Sequence, residues 1–164
     1  MHVVDFLISG SKEFHKEVAR KLKGIFTFGK VEIESFKFTG LNIVQKEDGI
    51  YVDQNEYVQS IKEIEVKRNV DKEAKLSGKE FKAFRGLTGK LSWAAENTRP
   101  DLAYDARELS TKNKAAYYGD LKYANKVLKK AKMEKDVTVK YLRLGKIDDL
   151  SIVAYTDSKY RNAE

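Results

Sequence analysis

The sequence predicts a mixed protein of the α+β kind, and two patterns carry that prediction. Apolar and polar residues alternate, the two-residue period of a half-buried strand, over Phe36 to Gln45, Ile50 to Gln54, Val137 to Leu142 and Leu150 to Tyr155. Elsewhere apolar residues recur every three or four positions, the spacing that lines one face of a helix. A hydrophobic fraction of 41%, with 8 Phe, 9 Tyr and 1 Trp, indicates a folded core rather than a disordered tail. The 164 residues suffice for one ordinary core or for two small lobes sharing an interface.

The apolar opening, Met1 to Gly10, reads as a strand. Ser11 then caps a helix with Phe14, Val18, Leu22, Ile25 and Phe26 on one face, and Gly24 and Gly29 mark its end. His15 lies on this helix among lysines, with no partner ligands in sight, so no metal site is expected. Phe36 to Gln45, the turn Lys46-Glu47-Asp48-Gly49 and Ile50 to Gln54 make a β-hairpin. Asn55 caps a short helix that buries Tyr57, Val58, Ile61 and Ile64. Residues 67–76 are polar and aperiodic, a linker between a first region, 1–66, and a helical region, 77–135.

Ser77-Gly78-Lys79-Glu80 is a capping box: the serine oxygen accepts from the third amide while the glutamate reaches back. It opens a helix with Phe81, Phe84, Leu87, Leu91 and Ala94 inward. Trp93 is expected in the core or at a lobe contact, and the alternative is an exposed indole stacking on a base or sugar. Thr98-Arg99-Pro100-Asp101 starts another helix, with a capping threonine, a first-turn proline and an acid suited to the helix dipole. Leu102, Ala106 and Leu109 continue its apolar face. A helix from about Asp120 to Met133 buries Leu121, Ala124, Leu128 and Ala131. Region 136–164 closes with an antiparallel pair, Val137 to Leu142 and Leu150 to Tyr155, joined through Gly145 to Asp149.

Absence of cysteine excludes disulfide staples and thiolate metal sites. No run of 18 apolar residues and no signal-peptide layout exist, so an intracellular protein, cytoplasmic or nuclear and without membrane insertion, is expected. Lys plus Arg outnumber Asp plus Glu by 32 to 25, a net +7. Between Thr111 and Lys146 the count is 11 basic to 3 acidic, so this stretch alone carries the excess. Lys122, Lys126, Lys129 and Lys130 form a stripe away from the apolar side of their helix, suited to meeting successive phosphates. A solvated, solubilising face is the plainer alternative. Tyr117, Tyr118 and Tyr123 add aromatic surface nearby, for stacking or for packing. The planar fork of Arg99 suits phosphate, or equally a salt bridge to Asp101 or Glu96.

The opening His2-Val3-Val4-Asp5-Phe6-Leu7-Ile8-Ser9-Gly10 resembles the Tyr-x-Asp-Asp catalytic hairpin of reverse transcriptases, in the form carried by copia-type (Pseudoviridae) LTR retrotransposons. The resemblance continues in order through Phe36 to Ile43, through Gly49 to Gln54 with Tyr57, through Gly89-Lys90-Leu91-Ser92-Trp93 and through Thr98 to Tyr104. It ends at Ala154-Tyr155-Thr156-Asp157-Ser158, which looks like the first strand of RNase H. It implies a palm remnant with a primer-grip-like hairpin over 1–66, a thumb-like helical bundle over 77–135, and connection strands leading to a truncated RNase H start over 136–164.

In that family the first aspartate of the pair helps hold two Mg²⁺ ions. Here the position is Val4, and His2 stands in place of the tyrosine. An aliphatic side chain offers no oxygen to a hard cation, so Asp5 is a remnant that cannot rebuild the site alone. Asp157 corresponds to one RNase H carboxylate where several must converge, and it is equally a remnant. The expectation is a chain without cofactor and without polymerase activity of its own, since the upstream strand and fingers of the family are missing from it. It would bind the backbone of an RNA–DNA or DNA duplex without reading sequence, through Arg99, Lys122, Lys126, Lys129 and Lys130. The alternative is a relict or domesticated protein-interaction domain, possible as a homodimer.

Overall fold

Ser11 sets the first element, because its side-chain oxygen takes the otherwise orphaned amide of Phe14 at 3.2 Å and starts α1, Lys12–Lys23. The computed structural model describes residues 6–27, 29–67, 69–145 and 151. No residue of α1 is buried. Strands β1 (Ser35–Phe38), β2 (Leu41–Lys46) and β3 (Gly49–Asp53) follow as an antiparallel meander. Then come α2 (Asn55–Ser60), α3 (Gly78–Asn97), α4 (Ala103–Thr111), α5 (Tyr118–Met133) and β4 (Val139–Leu142). The four strands lie in the order β1-β2-β3-β4, with β4 antiparallel to β3.

Where one strand was expected over Phe36 to Gln45, the chain makes two. Thr39 and Gly40 have φ of 49° and 85°, the left-handed pair that closes a two-residue hairpin. The apolar phase had in fact slipped there, from even positions (Phe36, Phe38) to odd ones (Leu41, Ile43), and the register pairs Phe36 with Ile43 and Phe38 with Leu41. β4 was expected to pair with Leu150 to Tyr155; it pairs with β3, and apart from Ser151 that second segment lies outside the described residues. β4 lies so close to β3 that a Cβ on Gly49, whose φ is 157°, would strike the carbonyl of Tyr141.

The core is helical. Phe84, Leu87 and Leu91 of α3 meet Leu121, Ala124 and Leu128 of α5, with Leu102 and Leu109 closing one side and Val58 and Ile61 another. No described residue of the sheet belongs to it. The capping box at α3 forms as its sequence dictates: Glu80 N–H donates to Ser77 Oγ, and Ser77 N–H donates to Glu80 Oε2 at 2.9 Å. Asn55, by contrast, is the first residue of α2 rather than its cap; the Asp53 carboxylate receives its amide at 2.9 Å. Thr98 is not the cap of a following helix either. It is buried at the end of α3, where its hydroxyl donates to Gln54 Oε1 at 3.0 Å. Trp93 departs from its expected place in the core, with 39% of its surface exposed.

The polar stretch 67–76 is tied down at several points. Amides of Leu76, Tyr118 and Gly119 pair with carbonyls of Ala116, Ala74 and Lys72, and the Tyr118 hydroxyl accepts from Lys67 N–H at 3.0 Å. Before it, residues 61–67 run extended along α5. There the buried Asn125 amide acts as a strand partner, accepting from Ile64 N–H at 2.9 Å and donating to Ile64 C=O at 2.7 Å.

Candidate nucleic-acid interface

At about 100° per residue the lysines of α5 share one side of the helix, but their surroundings differ. Lys122, Lys126 and Lys129 line a groove between α5 and residues 63–66, together with Glu63, Glu65 and Asn125. Lys129 lies 3.5 Å from Glu63, and Lys122 donates to the Val70 carbonyl at 3.4 Å with its ammonium over the Tyr118 ring. Lys130 sits about 80° round the helix from Lys122, at roughly 100° per residue, and reaches Asp105 on α4 at 3.9 Å. Lys126 alone of the four has no ion pair or hydrogen bond among the described residues. Such surface pairs are weak and exchange readily with another anion, so they do not lock these lysines away. Of the tyrosines, Tyr118 is buried, while Tyr123 donates its hydroxyl to Asp105 at 2.5 Å, which pushes its pKa up to about 12.

Arg99 is withdrawn from any ligand. It is 1% exposed; Nε and one terminal nitrogen fork onto the Asp101 carboxylate at 2.9 and 2.8 Å, and the other donates to the Ala131 carbonyl at 2.8 Å. A further contact reaches Glu134 at 3.3 Å. The guanidinium therefore fastens the end of α5 to the turn before α4. Its hydrogen bonds hold the Asp101 carboxyl below the usual carboxylate range. As a phosphate ligand Arg99 is corrected: its fork is filled by the protein's own acceptors. Asp5 and Asp157 lie outside the described residues.

A surface that the sequence reading passed over is the outward side of α3. Lys79, Lys82, Arg85 and Lys90 are all exposed there, and none has an ion pair or hydrogen bond among the described residues. At 3.6 residues per turn they share one arc with Gly86, Gly89 and the exposed Trp93, and with Glu96 near the helix end. Apart from the helix itself, no described residue comes within 4 Å of where a Cβ on Gly86 or Gly89 would stand, so the middle of the arc is an open gap over bare helix backbone. Lys79 and Lys90 also edge a second groove, shared with Lys62, Glu65 and Lys67. Residues 61–67 thus form a ridge with Glu63 and Glu65 between the cations of α3 and those of α5. The available signal was the spacing 79, 82, 86, 89, 93, a polar and glycine stripe opposite the apolar one, which the net charge of the segment concealed.

Among the described residues, no cluster of three or more His, Asp or Glu side chains could hold a metal ion, and no helix is long and apolar enough to cross a membrane. No known protein family, curated protein or solved structure matches the chain.

Proposed function

We propose that this chain is a non-catalytic region of the copia-type reverse-transcriptase kind that holds the backbone of a nucleic-acid duplex without reading its sequence. The observation that supports this reading best is the outward arc of α3, where four cations without internal partners surround a gap and an exposed indole. Unpaired cations are the ones whose phosphate contacts release counterions at no internal cost. The glycine gap admits a bulky backbone against the helix, and Trp93 offers a face for stacking on a base or sugar. Lys126 and, once their weak pairs open, Lys122, Lys129 and Lys130 extend the basic surface across the 61–67 ridge. The residue at position 4 supports no polymerase chemistry, because valine cannot ligate the metal that the resembling motif needs.

The test is a titration against RNA–DNA hybrid, duplex DNA and single strands at two salt concentrations. Similar affinity across unrelated duplex sequences is expected, with the logarithm of the binding constant falling by about 3.6 per decade of salt if four phosphates are neutralised. Absence of binding at low salt, or binding insensitive to salt, rejects the reading and leaves a protein-interaction domain as the alternative.

A further inference from the structure

Among the described residues, two apolar faces that are only half covered lie close together in the sequence. On α1, Phe14, Val18 and Leu22 recur at four-residue spacing, none is buried, and Phe14 is 47% exposed. The opposite side of the helix is charged, with Lys16, Arg20 and Lys23. The sheet has a matching problem. Its register places Phe36, Phe38, Ile43, Ile50, Val52 and Val139 on one face, since cross-strand partners and alternate residues share a side. No side chain on that face is buried, Ile50 is 41% exposed, and none belongs to the core. The other face is largely polar, with Lys37, Asn42, Lys46, Asp53 and Lys140. An apolar sheet face and an apolar helix stripe are the two halves of a helix-on-sheet layer, and each half is costly to leave in water.

We propose that α1 is a strap that closes over this apolar sheet face within the same chain. Dimensions fit. The 12 residues of α1 span about 18 Å, against a width of about 14 Å for four strands, so the stripe crosses the whole sheet. The 11 residues between Lys23 and Ser35 reach up to about 36 Å when extended, enough to lay the helix across the face in either direction. Tethering makes the encounter intramolecular, with an effective concentration in the millimolar range, so α1 of the same chain outcompetes a second copy at ordinary protein concentrations. Closure leaves the charged side of α1 outward, giving the sheet end of the molecule a polar surface.

The chain has no cysteine, so engineered pairs report this contact cleanly. In the full chain, V18C with I43C should form a disulfide within one molecule under mild oxidation. R20C with I43C, from the charged side of α1, should form it at least tenfold more slowly. Equal rates, no bond, or bonds only between chains would overturn the proposal, the last by giving the face to a second copy. Hydrogen exchange supplies a second reading. Leu22→Asp should speed exchange of the amides at 36–38 and 41–44 by tenfold or more while those of α3 and α5 keep their rates. Unchanged strand exchange would also overturn it.

Discussion

A guanidinium removed from water must find acceptors inside the protein, since an isolated buried charge costs several kcal/mol. Arg99 finds three, and they come from the turn before α4 and from the last turn of α5. Replacing it with methionine keeps the volume but leaves the Ala131 carbonyl buried without its donor and frees two acids. About 3 kcal/mol of stability should be lost in urea unfolding, with duplex affinity unchanged where the variant is folded. Glu80 is bound by the same logic at the surface. Lys67 at 2.8 Å, then the Ser77 hydroxyl and amide, hold its pKa down to about 2. A carboxylate whose folded pKa lies below its unfolded value stabilises the protein above the unfolded value, and that contribution disappears as pH falls through the folded one. The stability gap between the natural chain and Glu80→Gln should therefore be full at pH 7, shrink from about pH 4.5 downward and nearly close near pH 2. Urea midpoints at four pH values measure it; a gap independent of pH would refute the assignment.

Helix α3 carries its packing face and the proposed binding face on one cylinder, so its start and its outward arc can be tested separately. Ser77→Ala removes the oxygen that takes the Glu80 amide and should cost about 1 kcal/mol without changing affinity. Charge reversal at Lys82, Arg85 and Lys90 should do the opposite, leaving the melting temperature nearly unchanged while flattening the salt dependence by about one unit per cation. Reversal at Lys122, Lys129 and Lys130 should weaken binding less, because those ammonium groups already have internal partners. Glu63→Gln should strengthen binding, since it frees Lys129 and lowers the ridge's negative charge; unchanged or weaker binding would show that the α5 groove takes no part. Helix starts and inward faces were legible in the sequence because caps and apolar spacing are local signals, as with Ser11, Ser77, Phe84 and Leu128. Partner choice was not legible. Nothing near Arg99 in sequence announces the Ala131 carbonyl, and the lysines of α5 look alike until Glu63 and Asp105 arrive from other elements.

At the scale of the whole molecule, the helical core is closed around α3 and α5, while the sheet shares no buried apolar residue with it. Polar links tie the segment just past β3 to the bundle: Thr98 to Gln54 at 3.0 Å and Gln59 to the Lys132 carbonyl at 2.9 Å. Val58 and Ile61, just past β3, are the points where the chain leaving the sheet enters the core. The pairing of β3 with β4 adds a long-range constraint, because it returns the chain from the end of α5 to the sheet. Hydrogen bonds of this kind contribute about 1 kcal/mol each, far less than the burial of a large apolar side chain. Local openings of the sheet should thus cost much less free energy than opening the bundle. Amide exchange followed by mass spectrometry should place the peptides of α3 and α5 at the slow limit set by global unfolding, with β1 and β4, the edges of the described sheet, exchanging at least tenfold faster. Thr98→Val deletes the donor to the buried Gln54 amide, and its effect should be felt on the sheet side of the link as faster exchange in β3 and α2. If the strands and helices instead exchanged with one common free energy, the sheet would be fastened to the bundle by more than these links, and the molecule would unfold as one cooperative unit.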